Sequence, residues 1–426
     1  MVEGITTTLN GYTLHDKTQP PSQLKVAIIG AGLGGLTLAH SLKKSGIDFT
    51  IFERDHATDA RPQGYRIKVH GDTTAALRAV LGKDLWQDFE QTCGETVLGE
   101  TNINAITGVV TASRKGKAGF GDRDTYTVDR SMLRKVLLKG LESNNVLWRK
   151  EFTHYELQDD TTVVAHFQDG TTAKANLLIA ADGTRSRVRR QYLPAHRVLD
   201  SEGVCIYGKT PITPALTERC PSHLFQWMTL VYDNAPAMES IIIGDNPITL
   251  FMEPMRFPHR GRRDDLPDDY VYWALLFRKR LLASTEEELE ELLEQPGREL
   301  TLSMTSEWDP SIHGLLELQD TRDTAAIRIL SVSPDIQEWF PDPRITVLGD
   351  AIHVMSPTGG VGACTAIKDA YVLGSLLAEK GLSTATIGEY ESQMRQYAAI
   401  SVQRSFAGGK KNFNMEPFTM CKQANF

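Results

Sequence analysis

The sequence lacks a long apolar run, a paired cysteine pattern and an excess of basic charge. No segment reaches the roughly 20 apolar residues that a membrane-spanning helix needs, so we predict no membrane span. The five cysteines are scattered and odd in number, which is typical of reduced thiols rather than of disulfides. With a formal net charge of -8 at pH 7, the chain is not expected to bind nucleic acid.

Sequence motifs of two further classes of site are absent. The chain has no HExxH or similar metal-ligand spacing and no GxSxG nucleophile elbow, so we expect neither a metal site nor a serine hydrolase. Its first 24 residues lack the apolar stretch of a signal peptide and are interpreted as an N-terminal extension. With 41% apolar and 23% charged residues, the composition is that of an ordinary globular protein, for which we expect a cytoplasmic location.

A glycine-rich turn follows the first apolar segment. Residues 25–29 read as a strand that stops at Gly30, after which apolar residues recur at helical spacing and a second strand ends at Glu53. Gly30 permits a sharp exit from the strand, Gly32 lets the backbone approach a pyrophosphate, and Gly35 allows close helix packing. The Glu53 carboxylate can accept hydrogen bonds from both ribose hydroxyls of an adenosine. This unit predicts a dinucleotide-binding fold.

Two later strands also end next to acidic residues. Asp182 and Asp350 each place a carboxylate at the C-terminal end of a predicted strand, where the ligands of parallel sheets lie. The stretch 359–362 exposes backbone amides at the start of a helix, which suits the electron-rich pyrimidine edge of a flavin. A single nicotinamide site would not require all these elements. Glu53 with Arg54 disfavours a 2′-phosphorylated nucleotide at the glycine-rich turn. FAD is therefore the predicted cofactor.

Three motifs together resemble those of class A FAD-dependent monooxygenases, the para-hydroxybenzoate and salicylate hydroxylase-like family. The first is the glycine turn at 30–35. The run 180–189 is similar to the family's DG motif, which is linked to both FAD and NAD(P)H binding. The run 349–353, with Pro357, matches its GD motif, in which the aspartate holds ribityl or ribose hydroxyls. The resemblance covers roughly residues 24–405.

The resemblance also implies roles for individual residues. Arg130, at the head of its helix, would contact FAD, Arg66 would lie near the flavin, and Ala363 would offer a backbone amide to the ring. The sequence at 63–66 is similar in style to fungal secondary-metabolism members of the family. The candidate cofactor-binding residues are Gly30, Gly32, Leu33, Gly35, Glu53, Arg54, Arg66, Arg130, Asp182, Gly349, Asp350, Pro357, Gly362 and Ala363.

Several other residues have both a functional and a structural interpretation. Tyr207 and Arg66 are the candidate catalytic residues, with Tyr207 either donating a proton to substrate or flavin peroxide or packing in its sheet. For His353, a positioning or packing role is favoured over that of a base. The arginines within 185–190 either attract nicotinamide phosphates or form solvated surface. Cys364 stands where the family often has asparagine, and we interpret it as a buried substitute rather than a redox thiol.

We predict an α/β protein with a doubly wound FAD-binding domain of the GxGxxG type. This domain is placed at 25–191 and 342–407, with a β-rich substrate domain inserted at 192–341 and a tail at 408–426. Such an architecture would place the inserted domain as a lid over the flavin.

The resemblance implies an FAD-dependent monooxygenase that uses NADPH or NADH and O2. A flavin hydroperoxide would insert one oxygen into an electron-rich aromatic, indole or polyketide substrate, by hydroxylation or epoxidation, and the FAD would be tightly but not covalently bound. A Baeyer–Villiger-type flavoprotein and an FAD-holding interaction module without turnover are the alternatives. A flavin halogenase would normally carry a WxWxIP motif, which this chain lacks.

Overall fold

The structure is a computed structural model of the chain. It describes residues 6–9, 12–15, 19–20, 23–57, 65–116, 125–141, 143–233 and 247–426, with the backbone alone for 6–9 and 12–15. Residues 63 and 64 of the motif at 63–66 lie outside the described residues, as do residues 239–244, whose isoleucine run is typical of a strand.

The described strands are β1 (Thr6–Leu9), β2 (Tyr12–His15), β3 (Lys25–Ile29), β4 (Asp48–Phe52), β5 (Arg66–Val69), β6 (Gly99–Asn104), β7 (Val110–Lys115), β8 (Tyr126–Asp129), β9 (Val146–Leu147), β10 (Phe152–Asp159), β11 (Thr162–Phe167), β12 (Thr172–Ala175), β13 (Leu177–Ala180), β14 (Leu199–Pro211), β15 (Met228–Tyr232), β16 (Thr249–Met255), β17 (Tyr270–Arg278), β18 (Ala325–Ser331) and β19 (Ile345–Val347).

The described α-helices are α1 (Leu33–Lys44), α2 (Asp72–Val80), α3 (Lys83–Thr92), α4 (Arg130–Lys139), α5 (Arg187–Tyr192), α6 (Pro214–Arg219), α7 (Glu286–Glu294), α8 (Gly297–Met304), α9 (Pro310–Glu317), α10 (Asp350–His353), α11 (Gly362–Lys380) and α12 (Thr384–Phe413). Among the described helices, none is both long and apolar enough to cross a bilayer.

A five-stranded parallel sheet forms the centre of the first core, in the order β19-β13-β3-β4-β9. All four residues of β13 are buried, as expected for a strand covered on both faces. Ala180 pairs with Ile29 on one side and with Val347 on the other, so β3, β13 and β19 end in register. The turns that follow these three strands therefore leave the sheet at the same edge.

Helices and a second sheet cover the parallel sheet. Helix α1 packs against α4 and α11. The antiparallel sheet β10-β11-β12 packs on the parallel sheet through its apolar side. There the rings of Phe52 and Phe167 stack with their centroids 4.6 Å apart. The predicted α/β class with a GxGxxG-type domain is confirmed, and the structure adds that a β-meander supplies one of the covering layers.

A seven-stranded sheet forms the second core, in the order β18-β14-β17-β16-β15-β6-β7. Its pairs are antiparallel except for β15 with β6. Alternation along β14 and β17 sends Trp273 to one apolar cluster and Tyr207 to another. Strands β6 and β7 precede residue 192, so the predicted range 192–341 does not enclose the whole sheet.

The C-terminal residues join the two cores. Helix α12 continues past residue 407, the predicted end of the first domain, as far as Phe413, which is fully buried against the seven-stranded sheet. The carbonyl of Asn412 accepts a hydrogen bond from Thr249 Oγ1 at 2.7 Å, and that of Asn414 accepts one from Arg278 Nη1 at 2.6 Å. Part of the predicted tail is therefore a structured segment that packs against the second core.

Candidate cofactor-binding site

The glycine turn between β3 and α1 combines close packing with one open position. Gly30 has a φ of 111°, and a Cβ there would meet the carbonyl oxygen of Ala181 at 2.3 Å. A Cβ on Gly35 would meet the carbonyl oxygen of Gly30 at 2.2 Å. Around Gly32, the residue before Leu33 and the N-cap of α1, no atom of the described chain lies within 4 Å of an added Cβ. The turn leaves space beside the amides of a helix N-terminus, which suits a phosphate.

Glu53 holds this turn from the end of β4. Its buried carboxylate accepts hydrogen bonds from Ala31 N to Oε2 at 2.7 Å and from Asp55 N to Oε1 at 3.0 Å. Each oxygen keeps a second lone pair for a ribose hydroxyl. The Ala31 carbonyl accepts a bond from Arg134 Nε at 3.0 Å, so the turn is fixed from two sides. Arg54, beside Glu53, is exposed.

The turn after β13 presents a carboxylate with one oxygen unused. Asp182 Oδ2 accepts a hydrogen bond from Arg187 N at 2.9 Å, whereas the buried Oδ1 has no partner among the described residues. Burial raises the pKa of Asp182. The buried Arg189 donates from Nη1 to the carbonyls of Thr184 and Ala351, each at 3.0 Å. Arg189 thus joins the turn after β13 to helix α10.

The arginines within 185–190 divide by environment. Arg189 is the buried member and holds backbone carbonyls, so its role in the structure is positional. Arg187 also lies near Glu151, with Nη2 2.8 Å from Oε1. The exposed members are Arg185, Arg187 and Arg190.

The turn after β19 is held by a buried aspartate that the sequence analysis did not identify. Asp369 Oδ2 accepts hydrogen bonds from Gly349 N at 2.7 Å and from His353 Nε2 at 2.6 Å, and its Oδ1 accepts one from Tyr397 OH at 2.7 Å. Burial disfavours a charge on His353, but the Asp369 carboxylate outweighs this effect and raises the pKa of His353. The geometry supports a positioning role for His353, because Asp369 holds the residue that precedes Asp350.

Asp350, the first residue of α10, lies close enough to Arg130 for their charges to interact. Its side chain is accessible, yet surrounding protein raises its pKa, against the opposing effects of His353 and Arg130. The guanidinium carbon of Arg130 lies 5.1 Å from the centroid of the Tyr65 ring. The Tyr65 ring meets Tyr207 edge to face with centroids 5.9 Å apart. A series of neighbouring side chains therefore runs from the parallel sheet to the seven-stranded sheet. It consists of Asp350, Arg130, Tyr65 and Tyr207.

Backbone amides line the start of α11. Pro357–Gly359 forms a 3-10 turn before the helix begins at Gly362. The first hydrogen bond of this helix runs from Thr365 N to Val361 O, so the amides of Gly362 and Ala363 precede the helical ladder. These amides provide the partial positive charge that the sequence analysis expected at this place.

Cys364 contacts the strand next to this helix start. Its Sγ donates a hydrogen bond to the carbonyl of Lys68 at 3.2 Å. Burial raises the pKa of the Cys364 thiol, which keeps the nucleophilic thiolate form scarce. This environment supports the interpretation of Cys364 as a buried substitute.

Strands β5 and β8 pair as an antiparallel ribbon, and ion pairs at Glu253 and at Asp129 connect this ribbon to the seven-stranded sheet. Arg66 Nη2 lies 2.7 Å from Glu253 Oε2, and Lys68 Nζ lies 3.2 Å from Glu253 Oε1. Asp129 Oδ2 accepts hydrogen bonds from Lys209 Nζ at 3.0 Å and from Tyr270 OH at 2.7 Å. The structure therefore places Arg66, a candidate catalytic residue, in an ion pair between the two cores.

Asp129 also fixes the position of Arg130. Its Oδ1 caps α4 by accepting a hydrogen bond from Met132 N at 3.0 Å. Burial works against ionisation, but Lys209 and the hydrogen bonds outweigh it, so the pKa of Asp129 is lowered. Sequence reasoning missed this residue, although an aspartate directly before a predicted helix is a recognisable capping signal.

These features fit an FAD molecule. The open glycine turn suits the pyrophosphate, the unpartnered Oδ1 of Asp182 and the accessible Asp350 suit hydroxyl groups, and the amides of α11 suit a flavin edge. The three turns converge because β3, β13 and β19 end in register. The structure therefore brings the predicted turns to one edge of one sheet.

Comparisons with known proteins agree with this site. The model of the FAD binding domain family matches residues 23–218 and 315–405. A dual O-methyltransferase/FAD-dependent monooxygenase of Cercospora beticola is 42% identical over 416 residues, which are 94% of this chain and 48% of that protein. The chain spans about half the length of this and similar curated relatives.

Solved structures share the fold. A crystal structure of an FAD containing monooxygenase from Photorhabdus luminescens superposes with a TM-score of 0.74 and 27% identity, and the match covers 91% of this chain and 98% of that one. Klebsiella pneumoniae HpxO, solved with FAD and uric acid, has a TM-score of 0.67 and 22% identity over 92% of this chain and 90% of its own. The chain therefore belongs to the FAD binding domain family, which confirms its resemblance to class A FAD-dependent monooxygenases.

Proposed function

We propose that this chain is an FAD-dependent monooxygenase that uses NADPH or NADH and O2 to insert one oxygen atom into an electron-rich organic substrate. The observation that carries the proposal is the convergence of three turns at one sheet edge, in a chain whose second sheet contains Tyr207. The relative from Cercospora beticola is named as a monooxygenase, which supports the same activity here.

The role of the chain in the reaction is to bind and orient the cofactor and the substrate and to shield them from water. The amides of α1 at Gly32 and Leu33 would hold the pyrophosphate, Glu53 the adenosine ribose, and Asp182 and Asp350 further hydroxyl groups. When bound, FAD supplies electron transfer from the reduced nicotinamide and activation of O2. The amides of α11 would stabilise negative charge at the flavin edge.

The substrate would lie between Asp350 and the seven-stranded sheet. Tyr207 is 9% exposed, and burial raises its pKa to about 12, so the phenol stays a hydrogen-bond donor at neutral pH. Tyr65 and Tyr272 pack in the same cluster. An apolar, aromatic wall with hydroxyl donors suits aromatic, indole or polyketide substrates and excludes water from the reacting atoms.

The test begins with the Asp350→Ala variant. Loss of the carboxylate should give a protein that purifies without yellow colour, whereas the control Asp72→Ala, at an exposed position, should keep its FAD. Full FAD occupancy in Asp350→Ala would contradict the assignment of this residue.

The activity is tested separately with the yellow wild-type protein. Aromatic, indole and polyketide compounds should stimulate NAD(P)H oxidation and give a product heavier by one oxygen atom. Bound FAD with no stimulation by any compound of the panel would instead indicate an FAD-holding interaction module.

A further inference from the structure

Two histidines and a glutamate lie together on the outer side of the sheet β10-β11-β12. His154 and His166 are cross-strand neighbours, and their rings stack with centroids 4.3 Å apart and planes 10° from parallel. Glu156, two residues after His154, lies on the same side, with Oε1 3.9 Å from His154 Nε2 and Oε2 3.6 Å from His166 Nε2. One ligand atom from each residue lies within 4.8 Å of the others.

A neighbouring hydroxyl sets the proton position on His154. Thr153 Oγ1 donates its hydrogen to the carbonyl of His166 at 3.0 Å, so it can only accept in its 3.1 Å contact with His154 Nδ1. Nδ1 therefore carries the hydrogen, and Nε2 keeps the lone pair that faces Glu156. A hydrogen bond to the second ring nitrogen is the usual way in which proteins orient a metal-binding histidine.

His166 has a nitrogen without a hydrogen bond. Its Nε2 is shielded from solvent and has no hydrogen-bond partner among the described residues, since Glu156 at 3.6 Å is too distant. An unpartnered nitrogen beside a carboxylate and a second imidazole is available to bind a metal ion.

The sheet holds these side chains at fixed spacing. On its other side, Val163, Ala165 and Phe167 are buried in the first core. The register shifts between Phe152 and His154, so an extra residue is accommodated there. This irregularity places Thr153 next to both histidines. The strand backbone is thus rigid, whereas the exposed Glu156 side chain is free to adjust.

We infer that His154, His166 and Glu156 bind one zinc-class divalent cation. Tetrahedral coordination with bonds of about 2.0–2.2 Å separates ligand atoms by roughly 3.3–3.6 Å, which small rotations of these side chains achieve. Two imidazole nitrogens favour Zn²⁺, Cu²⁺ or Ni²⁺ over Mg²⁺ and Ca²⁺. Three protein ligands leave one position for water. The cation would join β10 to β11, so this site is separate from the proposed FAD reaction.

The test is titration of the EDTA-treated, untagged full chain with ZnCl2 in a calorimeter. We expect one Zn²⁺ per chain with a dissociation constant on the order of micromolar. The variants His154→Ala, His166→Ala and Glu156→Gln should each bind at least about tenfold more weakly. Thr153→Val keeps all three ligands and should weaken binding by about tenfold through loss of the orienting bond.

A matched control separates this site from ordinary surface histidines. His313 pairs with Glu317 at 3.3 Å but forms no such three-residue cluster with the described part of the chain, so His313→Ala should leave Zn²⁺ affinity unchanged. Circular dichroism verifies folding, and the exposed Glu156→Gln change keeps the test valid if a histidine variant unfolds. Absence of binding below about 100 μM, or equal affinity in wild type and Glu156→Gln, would overturn the inference.

Discussion

At the scale of single residues, Tyr207 offers the sharpest prediction. It is buried beside Tyr65 and keeps its proton at neutral pH because its pKa is raised to about 12. If this phenol donates a proton during turnover, Tyr207→Phe should keep FAD but lower kcat for product formation by about 100-fold. NAD(P)H consumption should then exceed product formation. The measurement is product yield per NAD(P)H oxidised.

The control for this change is Tyr155→Phe, which removes a hydroxyl from a buried tyrosine on β10. This variant should behave like the wild type. A kcat for Tyr207→Phe within twofold of the wild-type value would show that Tyr207 only packs in its sheet.

At the scale of elements, the buried pair of Asp129 and Lys209 fixes the ribbon β5–β8 against the seven-stranded sheet. Lys209→Met should leave the Asp129 carboxylate buried without its main counter-charge. Breaking a buried pair in this way costs about 3–5 kcal/mol, so the free energy of unfolding in urea should fall by that amount. FAD affinity should fall as well, because Asp129 caps the helix that begins with Arg130.

The matched control is Arg219→Ala, which removes an exposed ion pair with Glu317. Exposed pairs contribute only about 0–1 kcal/mol, so this variant should unfold close to the wild type. Equal stability losses in the two variants would argue against a special role for the buried pair.

At the scale of the whole molecule, Glu391 links stability to pH. It is buried in α12, and burial raises its pKa to about 8, although Thr346 Oγ1 donates a hydrogen bond to Oε1 at 2.9 Å. Since the folded state holds this proton more tightly than the unfolded state, its stabilising contribution is complete below about pH 4.5 and is lost as pH rises through about 8.

The free energy of unfolding of the wild type should therefore fall between pH 6 and pH 9. For the Glu391→Gln variant this fall should be smaller by a few kcal/mol. Thermal unfolding across this range measures the effect. The neighbouring Glu389→Gln, at an exposed ion pair, should follow the wild-type profile. Parallel profiles for all three proteins would mean that Glu391 is not the responsible group.

Local patterns allowed much of the fold to be predicted. The turn at 30–35, the helix that starts at Arg130 and the helix that starts at Gly362 occur where the sequence indicates them, because apolar spacing and glycine act over a few residues. The acidic helix Glu286–Glu294 begins after Thr285, whose side chain caps it by accepting a hydrogen bond from Glu288 N, so this helix start also depends on neighbouring residues. Strands β6 and β7 were missed as part of the second sheet, since only β6 joins them to it, and its partner β15 lies more than a hundred residues away along the chain.

The residues of the candidate site likewise divide into those that local sequence reveals and those that only the packed structure reveals. Glu53, Asp182 and Asp350 could be found from sequence because each lies within a few residues of the end of an apolar strand. Asp369 lies within α11 and Arg189 within α5, where an internal charged residue gives no signal of its partner. Only the packed structure shows that Asp369 holds Gly349, and that Arg189 joins two turns.

The sequence by itself determined the strand ends and glycine turns that identify an FAD-binding fold, because those features depend on residues close together in the chain. Tertiary structure decided which distant groups meet. The expectation of no metal site rested on sequence spacing, whereas strand pairing brings His154 and His166 side by side. Pairing of Asp129 with Lys209 likewise depends on how two sheets pack, since a buried charge is stable only where its partner lies within contact distance.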